Sequence, residues 1–111
     1  MDLVVDDASH IYELTRSSFD ILSPRLRPVG MYITEDWAWV HWAGTQENPT
    51  WMGQKHALTN LLFEICMASA STGGVISDIY VNSNFFAVRK AKNCPPLEDF
   101  LSAPIGYLRR L

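Results

Sequence analysis

Trp37, Trp39 and His41 recur at every second position in Asp36-Trp37-Ala38-Trp39-Val40-His41-Trp42-Ala43-Gly44, and Trp42 follows at once. On a β-strand successive side chains take opposite faces, so the first three share one side and Trp42 lies on the other with Ala38 and Val40. Two indoles beside an imidazole suit two kinds of chemistry. They can anchor a partner protein, since tryptophan is enriched at the energetic centres of interfaces. They can also line an apolar pocket in which His41, with Glu64 or Asp78, orients a small ligand. Trp51 adds a fourth indole beside the polar loop Gly44-Thr45-Gln46-Glu47-Asn48-Pro49-Thr50. Phe63 and Met67, four apart, form an apolar pair on the otherwise polar back of a helix. The expected partner-binding set is therefore Trp37, Trp39, Trp42, Trp51, Phe63 and Met67. The alternative pocket is Trp37, Trp39, His41, Glu64 and Asp78.

Other chemistry finds little support. His10, His41 and His56 fall in three different segments with no HxxxH or HExxH spacing, so no metal site is expected. The row His56, Asn60 and Glu64 reads as a solvated helix face. Ser69, Ser71 and Thr72 precede Gly73-Gly74 as a helix ending, without the GxSxG of a nucleophile elbow. Gly73-Gly74 follows a helix and lacks the lysine of a phosphate loop, so no cofactor is expected there. Cys66 lies inside an apolar stripe and Cys94 precedes Pro95-Pro96. Neither has a CxxC partner, which suits a reducing, cytoplasmic compartment. The start of the chain lacks a signal-peptide pattern, and no apolar run is long enough to span a membrane.

The elements that would hold these residues follow from periodicity. Asp7 to Leu22 reads as a helix, capped by Asp6 or Asp7, with Ile11, Leu14, Ser18, Ile21 and Leu22 as its buried stripe and Tyr12 and Phe19 as an aromatic edge. Val29–Ile33 and Trp37–Ala43 read as a hairpin around Thr34-Glu35-Asp36. Gln54 to Ser71 is the clearest helix, with Leu58, Leu61, Leu62, Ile65 and Cys66 on one face. Val75–Val81 and Phe85–Lys90 form a second hairpin around Asn82-Ser83-Asn84. Leu97 to Leu101 is a short helical turn, and Leu3–Val5 can add a strand at the sheet edge.

This gives one α+β domain over residues 1–111, of order α-β-β-α-β-β-α: a mainly antiparallel four-stranded sheet with the two longer helices on one face. That order is similar, as architecture alone, to small acidic secretion chaperones and roadblock-type dimerisation domains. The 111 residues are 48% apolar, 12% aromatic and only 19% charged, enough for a single core and against disorder. Acidic Asp2, Asp6, Asp7, Glu13 and Asp20 crowd the first segment, whereas basic residues prevail from Arg89 onward. A net charge of −3, with Glu35, Asp36 and Glu47 around the aromatic tract, argues against nucleic acid. The sequence alone therefore points to a non-catalytic protein-interaction domain that pairs with itself through an open sheet face or edge. A small-molecule binder or enzyme with an aromatic pocket is the alternative.

Overall fold

The computed structural model describes residues 1–7, 11–45, 47, 56–71 and 74–93. Its elements are β1 (Leu3–Asp6), α1 (Tyr12–Leu22), β2 (Met31–Glu35), α2 (Thr59–Ser71), β3 (Ile76–Val81) and β4 (Phe85–Lys90). Short 3₁₀ turns stand at Ser23–Arg25 and Trp39–His41. The sheet order is β1-β2-β4-β3. Strand β1 runs parallel to β2, Leu3 opposite Met31, with α1 as the crossover that a parallel pair requires. Strand β4 is antiparallel to both β2 and β3.

The expected antiparallel sheet of two hairpins is thereby corrected to a mixed sheet. Strand β2 is paired on one side with β1 and on the other with β4, so no edge remains for the aromatic tract. Asp36, at φ 54°, turns the chain out of the strand. Trp37 then donates its indole N–H to the Asn82 carbonyl at 2.8 Å, and Trp39–His41 coils into a 3₁₀ turn. The β3–β4 hairpin does form. Asn82 closes its turn, accepting through Oδ1 from the backbone N–H of Asn84 and Phe85. The expected helical turn Leu97–Leu101, with His10, Trp51 and Cys94, lies outside the described residues.

The core joins both helices to one sheet face: Phe19 of α1 and Leu58, Leu61, Leu62, Ile65 and Ala68 against Tyr32, Phe86 and Val88. Phe19 meets Tyr32 edge-on at 4.9 Å. Helix α1 is turned about its axis relative to expectation. Thr15 and Phe19 are buried, whereas Leu14 and Ile21 are 57% and 60% exposed. Spacing alone favours either face; the aromatic face prevails because Tyr12 and Arg16 find a hydrogen-bonding partner on α2 (below). Ile11, not Asp6 or Asp7, stands at the N-cap, without a side-chain cap bond. On α2 the stripe holds through Ile65, but Cys66 is exposed and Glu64 is buried instead.

The opposite sheet face carries Leu3 and Val5 of β1, Met31 and Ile33 of β2, Ala87 of β4 and Tyr80 of β3, as strand alternation requires. Leu3, Val5 and Tyr80 are 56%, 50% and 50% exposed. Ala87, between Ile33 and Tyr80 on that face, is buried.

Candidate functional site

One end of the molecule gathers most of the reactive side chains. The carboxyl ends of β1 and β2 lie there side by side, and the amino-terminal turn of α1 meets that of α2. Ligands of open sheets with parallel strands collect outside such carboxyl ends. From Asp36 the chain of contacts runs through Trp37, whose ring lies 6.4 Å from His41 and 6.3 Å from Phe86. His41 Nε2 hydrogen-bonds the Thr59 hydroxyl at the start of α2. Three residues before Thr59, His56 stands edge-on to the Tyr12 ring at 5.8 Å. Tyr12 donates its hydroxyl proton to Glu64, and Arg16 Nε donates to the other Glu64 oxygen at 2.8 Å. Asp20 flanks Arg16 at 3.5 Å.

Burial, then the bond and charge of Glu64, push the Tyr12 phenol well above the usual tyrosine range. Tyr12 is thus a neutral hydroxyl at any physiological pH, already committed to a carboxylate. Tyr32 is raised likewise, by burial first and then by Asp6, whose carboxylate accepts its hydroxyl at 3.4 Å. Burial also raises the Cys66 thiol, which is not an activated nucleophile.

On the outer side of the same end, Asp7, Glu35 and Asp36 each bring a carboxylate oxygen within 4.8 Å of the others. The set supplies three of the six oxygens that a magnesium ion demands, and it suits a guanidinium equally well. The end as a whole offers carboxylate acceptors, hydroxyl, imidazole and guanidinium donors, and half-buried indoles. That is the chemistry for recognising a hydroxyl-rich ligand. At the other end of the sheet a cavity of about 30 Å³ lined by Phe19, Leu26, Tyr32, Val75 and Val88 is too small for more than a water-sized guest.

The structure brings only part of each expected set together. Trp37 and His41 touch; Trp39 is half-buried beside them and Trp42 is 69% exposed. Glu64 faces Tyr12 and Arg16. Asp78, register partner of Arg89, lies on the outer face at the far end and belongs to no pocket with Trp37. Phe63 is 58% exposed on α2 with Met67 half-buried, apart from the indoles. Tyr12, Arg16, Asp7 and Glu35 escaped the sequence reading. The four-residue spacing of Tyr12 and Arg16 was the available signal.

No family model matches the chain. It is 49% identical over 43 residues to demethylmacrocin O-methyltransferase of Streptomyces fradiae, a stretch covering 39% of this chain and 11% of that enzyme. It is 46% identical over 43 residues to mycinamicin VI 2''-O-methyltransferase of Micromonospora griseorubida, with 39% and 11% covered. Among solved structures, the MycE methyltransferase with Mg and SAH superposes with a TM-score of 0.59 at 33% identity, over 84% of this chain and 26% of that one. The complex that also contains mycinamycin VI gives a TM-score of 0.60 at 30% identity. The chain thus spans about a quarter of the solved relative and about a tenth of the curated ones. Relatives and structural neighbours alike are O-methyltransferases, which overturns the expectation of a non-catalytic protein-binding domain.

Proposed function

We propose that this chain is part of an O-methyltransferase acting on a sugar hydroxyl of a glycosylated natural product, and that it serves the acceptor side of the reaction. The likeness over 84% of the chain to a methyltransferase complexed with Mg, SAH and mycinamycin VI carries this reading. Two further relatives are named for rhamnosyl and olivosyl acceptors, which supports a sugar hydroxyl as the target. The end-of-sheet set of Asp7, Glu35, His41, His56 and Trp37 suits that task, with carboxylates accepting from hydroxyls and the indole covering an apolar ring face.

A bound methyl donor would supply the methyl group for such a transfer. The residues present do not fit a cradle for that donor. In doubly wound folds a glycine-rich turn follows the first strand, so that backbone can approach the cofactor. Here β1 is followed by Asp7-Ala8-Ser9-His10, without a glycine. Among the described residues, moreover, only one strand pair is parallel. The donor site therefore falls to other parts of such an enzyme. We place the reaction in the cytoplasm, since the exposed free thiol of Cys66 suits a reducing compartment. No helix among the described residues is long and apolar enough to cross a membrane.

Indole fluorescence tests the assignment. A glycosylated macrolide should change the emission saturably, and S-adenosylhomocysteine should leave it unchanged. Binding of S-adenosylhomocysteine alone would overturn the acceptor-side role. Grafting this chain's residues onto the matching stretch of the Streptomyces fradiae enzyme should preserve methyl transfer; loss of transfer in a folded graft, with no macrolide binding, would refute the reading.

A further inference from the structure

We infer that the solvent side of α2 pairs with the same side of a second copy of this chain, the two helices antiparallel about a two-fold axis at the level between Phe63 and Cys66. Helix α2 is apolar on both sides. Its inner side, Leu61, Leu62, Ile65 and Ala68, is buried in the core. Its one charged side chain, Glu64, is buried as well and bonded to Tyr12 and Arg16. The residues left toward solvent are Thr59, Asn60, Phe63, Cys66, Met67 and Ala70, none of them charged. Phe63 is 58% exposed, Cys66 and Ala70 are exposed, and Met67 is half-buried. A helix without a charged side facing water is ordinarily covered all round.

The spacing makes these residues one surface. Thr59, Phe63, Cys66 and Ala70 stand four, three and four apart, a continuous stripe with Asn60 and Met67 along its flank. Antiparallel pairing about the stated axis sets each Phe63 on the partner's Cys66 and each Thr59 on the partner's Ala70. A large ring thus meets a small thiol twice per pair, a contact that sulfur and an aromatic ring favour. Electrostatics select the occupant. Among the described elements the other solvent-facing helix and sheet surfaces carry charge, Glu13 on α1 and Asp78 on the outer side of the sheet. The uncharged counterpart that this chain offers is a second α2. The pairing side points away from the sheet, so Asp7, Glu35 and Asp36 on the sheet's outer side stay open. Because the helices run antiparallel, the two acceptor ends lie at opposite ends of the pair.

A contact between helices of this length lies at the low end of specific interfaces, below about 1,200 Å² in all, so the expected pairing is of micromolar strength. Sedimentation equilibrium of the 111-residue chain should show its mass rising from 12.6 kDa toward twice that value between roughly 1 and 300 μM. Phe63→Glu should raise the dissociation constant at least about tenfold with an unchanged circular dichroism spectrum, and Ala70→Glu on the same stripe should do so independently. Leu14→Glu, on the exposed side of α1, should leave it unchanged. With Cys94→Ser to leave a single thiol, a short bis-maleimide should link two chains through Cys66, and Phe63→Glu should abolish the link. A chain that stays monomeric up to roughly 300 μM overturns the proposal and leaves the face to the remainder of a longer enzyme. A dimer that persists in both α2 variants overturns it too, as does one dissociated by Leu14→Glu, which moves the interface to α1.

Discussion

Val29 occupies a backbone conformation that its side chain disfavours, and relieving it should stabilise the domain in a specific rank order. Arg27-Pro28-Val29-Gly30 forms a turn closed by the Gly30 N–H on the Arg27 carbonyl at 2.9 Å, with Val29 at φ 68°. Proline second and a positive φ third are the marks of a type II turn, whose third position normally takes glycine or asparagine. The strain cannot move to Gly30, where a Cβ would stand 2.7 Å from the Arg27 carbonyl oxygen and 2.8 Å from Leu26. The surroundings also hold Val29 in place. Its N–H donates to the Lys90 carbonyl at 3.0 Å, and its own carbonyl accepts from Arg89.

A left-handed conformation costs an L-residue about 1–2 kcal/mol, and a β-branched one lies at the upper end. Val29 is 51% exposed, so its removal forfeits at most about 1 kcal/mol of burial. Asparagine relieves most of the strain and keeps part of the contact, for a net gain of about 0.5–1 kcal/mol. Glycine relieves all of it but loses the burial and about 0.5–1 kcal/mol in chain entropy, which leaves it near neutral. Alanine keeps the positive φ and loses contact, a net loss of about 0.5 kcal/mol. Urea denaturation with a common slope should therefore order the variants Val29→Asn, then wild type and Val29→Gly together, then Val29→Ala. In melting temperature the asparagine gain corresponds to about 2–8 °C. Losses above about 1 kcal/mol for both asparagine and glycine would show that the isopropyl group, not the strain, decides the energy at this position.

Two further outcomes follow from the buried polar contacts. Glu64→Gln removes the carboxylate that Arg16 and Tyr12 share and leaves a half-buried guanidinium without its counter-charge. It should cost about 2–3 kcal/mol, somewhat below the usual figure for a broken buried pair because Arg16 retains solvent and Asp20; the double change Arg16→Met with Glu64→Leu should recover most of the loss in urea melts. Tyr12 and Tyr32 both hold their protons more tightly folded than unfolded. Their contribution is thus complete below the unfolded tyrosine value and is lost as pH rises through the folded ones, so stability should begin to fall above about pH 10. Tyr12→Phe and Tyr32→Phe should each flatten that alkaline limb in denaturation curves taken across pH; an unaltered limb in both would refute the assignment.

What the sequence disclosed and what it concealed divide along the range of the interaction responsible. Leu58, Leu61, Leu62 and Ile65 announce the buried side of α2 because one helix repeats its own period. The β3–β4 hairpin is equally visible, since Asn82 closes it with its own side chain within three residues. The aromatic tract misleads for the converse reason. Alternation of Trp37, Trp39 and His41 describes a strand that has no partner, because β1 and β4, from the two ends of the described chain, have already taken both edges of β2. Helix α1 poses the same problem within one element. Its 14/18/21 face and its 12/15/16/19 face are both helical stripes, and hydrophobicity favours the first. The second prevails because Phe19 reaches Tyr32, and because a carboxylate on another helix is left without water unless Tyr12 and Arg16 meet it. The same tertiary fact that reversed α1 also assembled the site: desolvated Glu64 draws the start of α1 onto α2, beside the carboxyl ends of the parallel strands. His41 and Trp37 were legible as candidates from their types alone, but the acids and the tyrosine that complete their surroundings come from segments whose meeting no local pattern encodes.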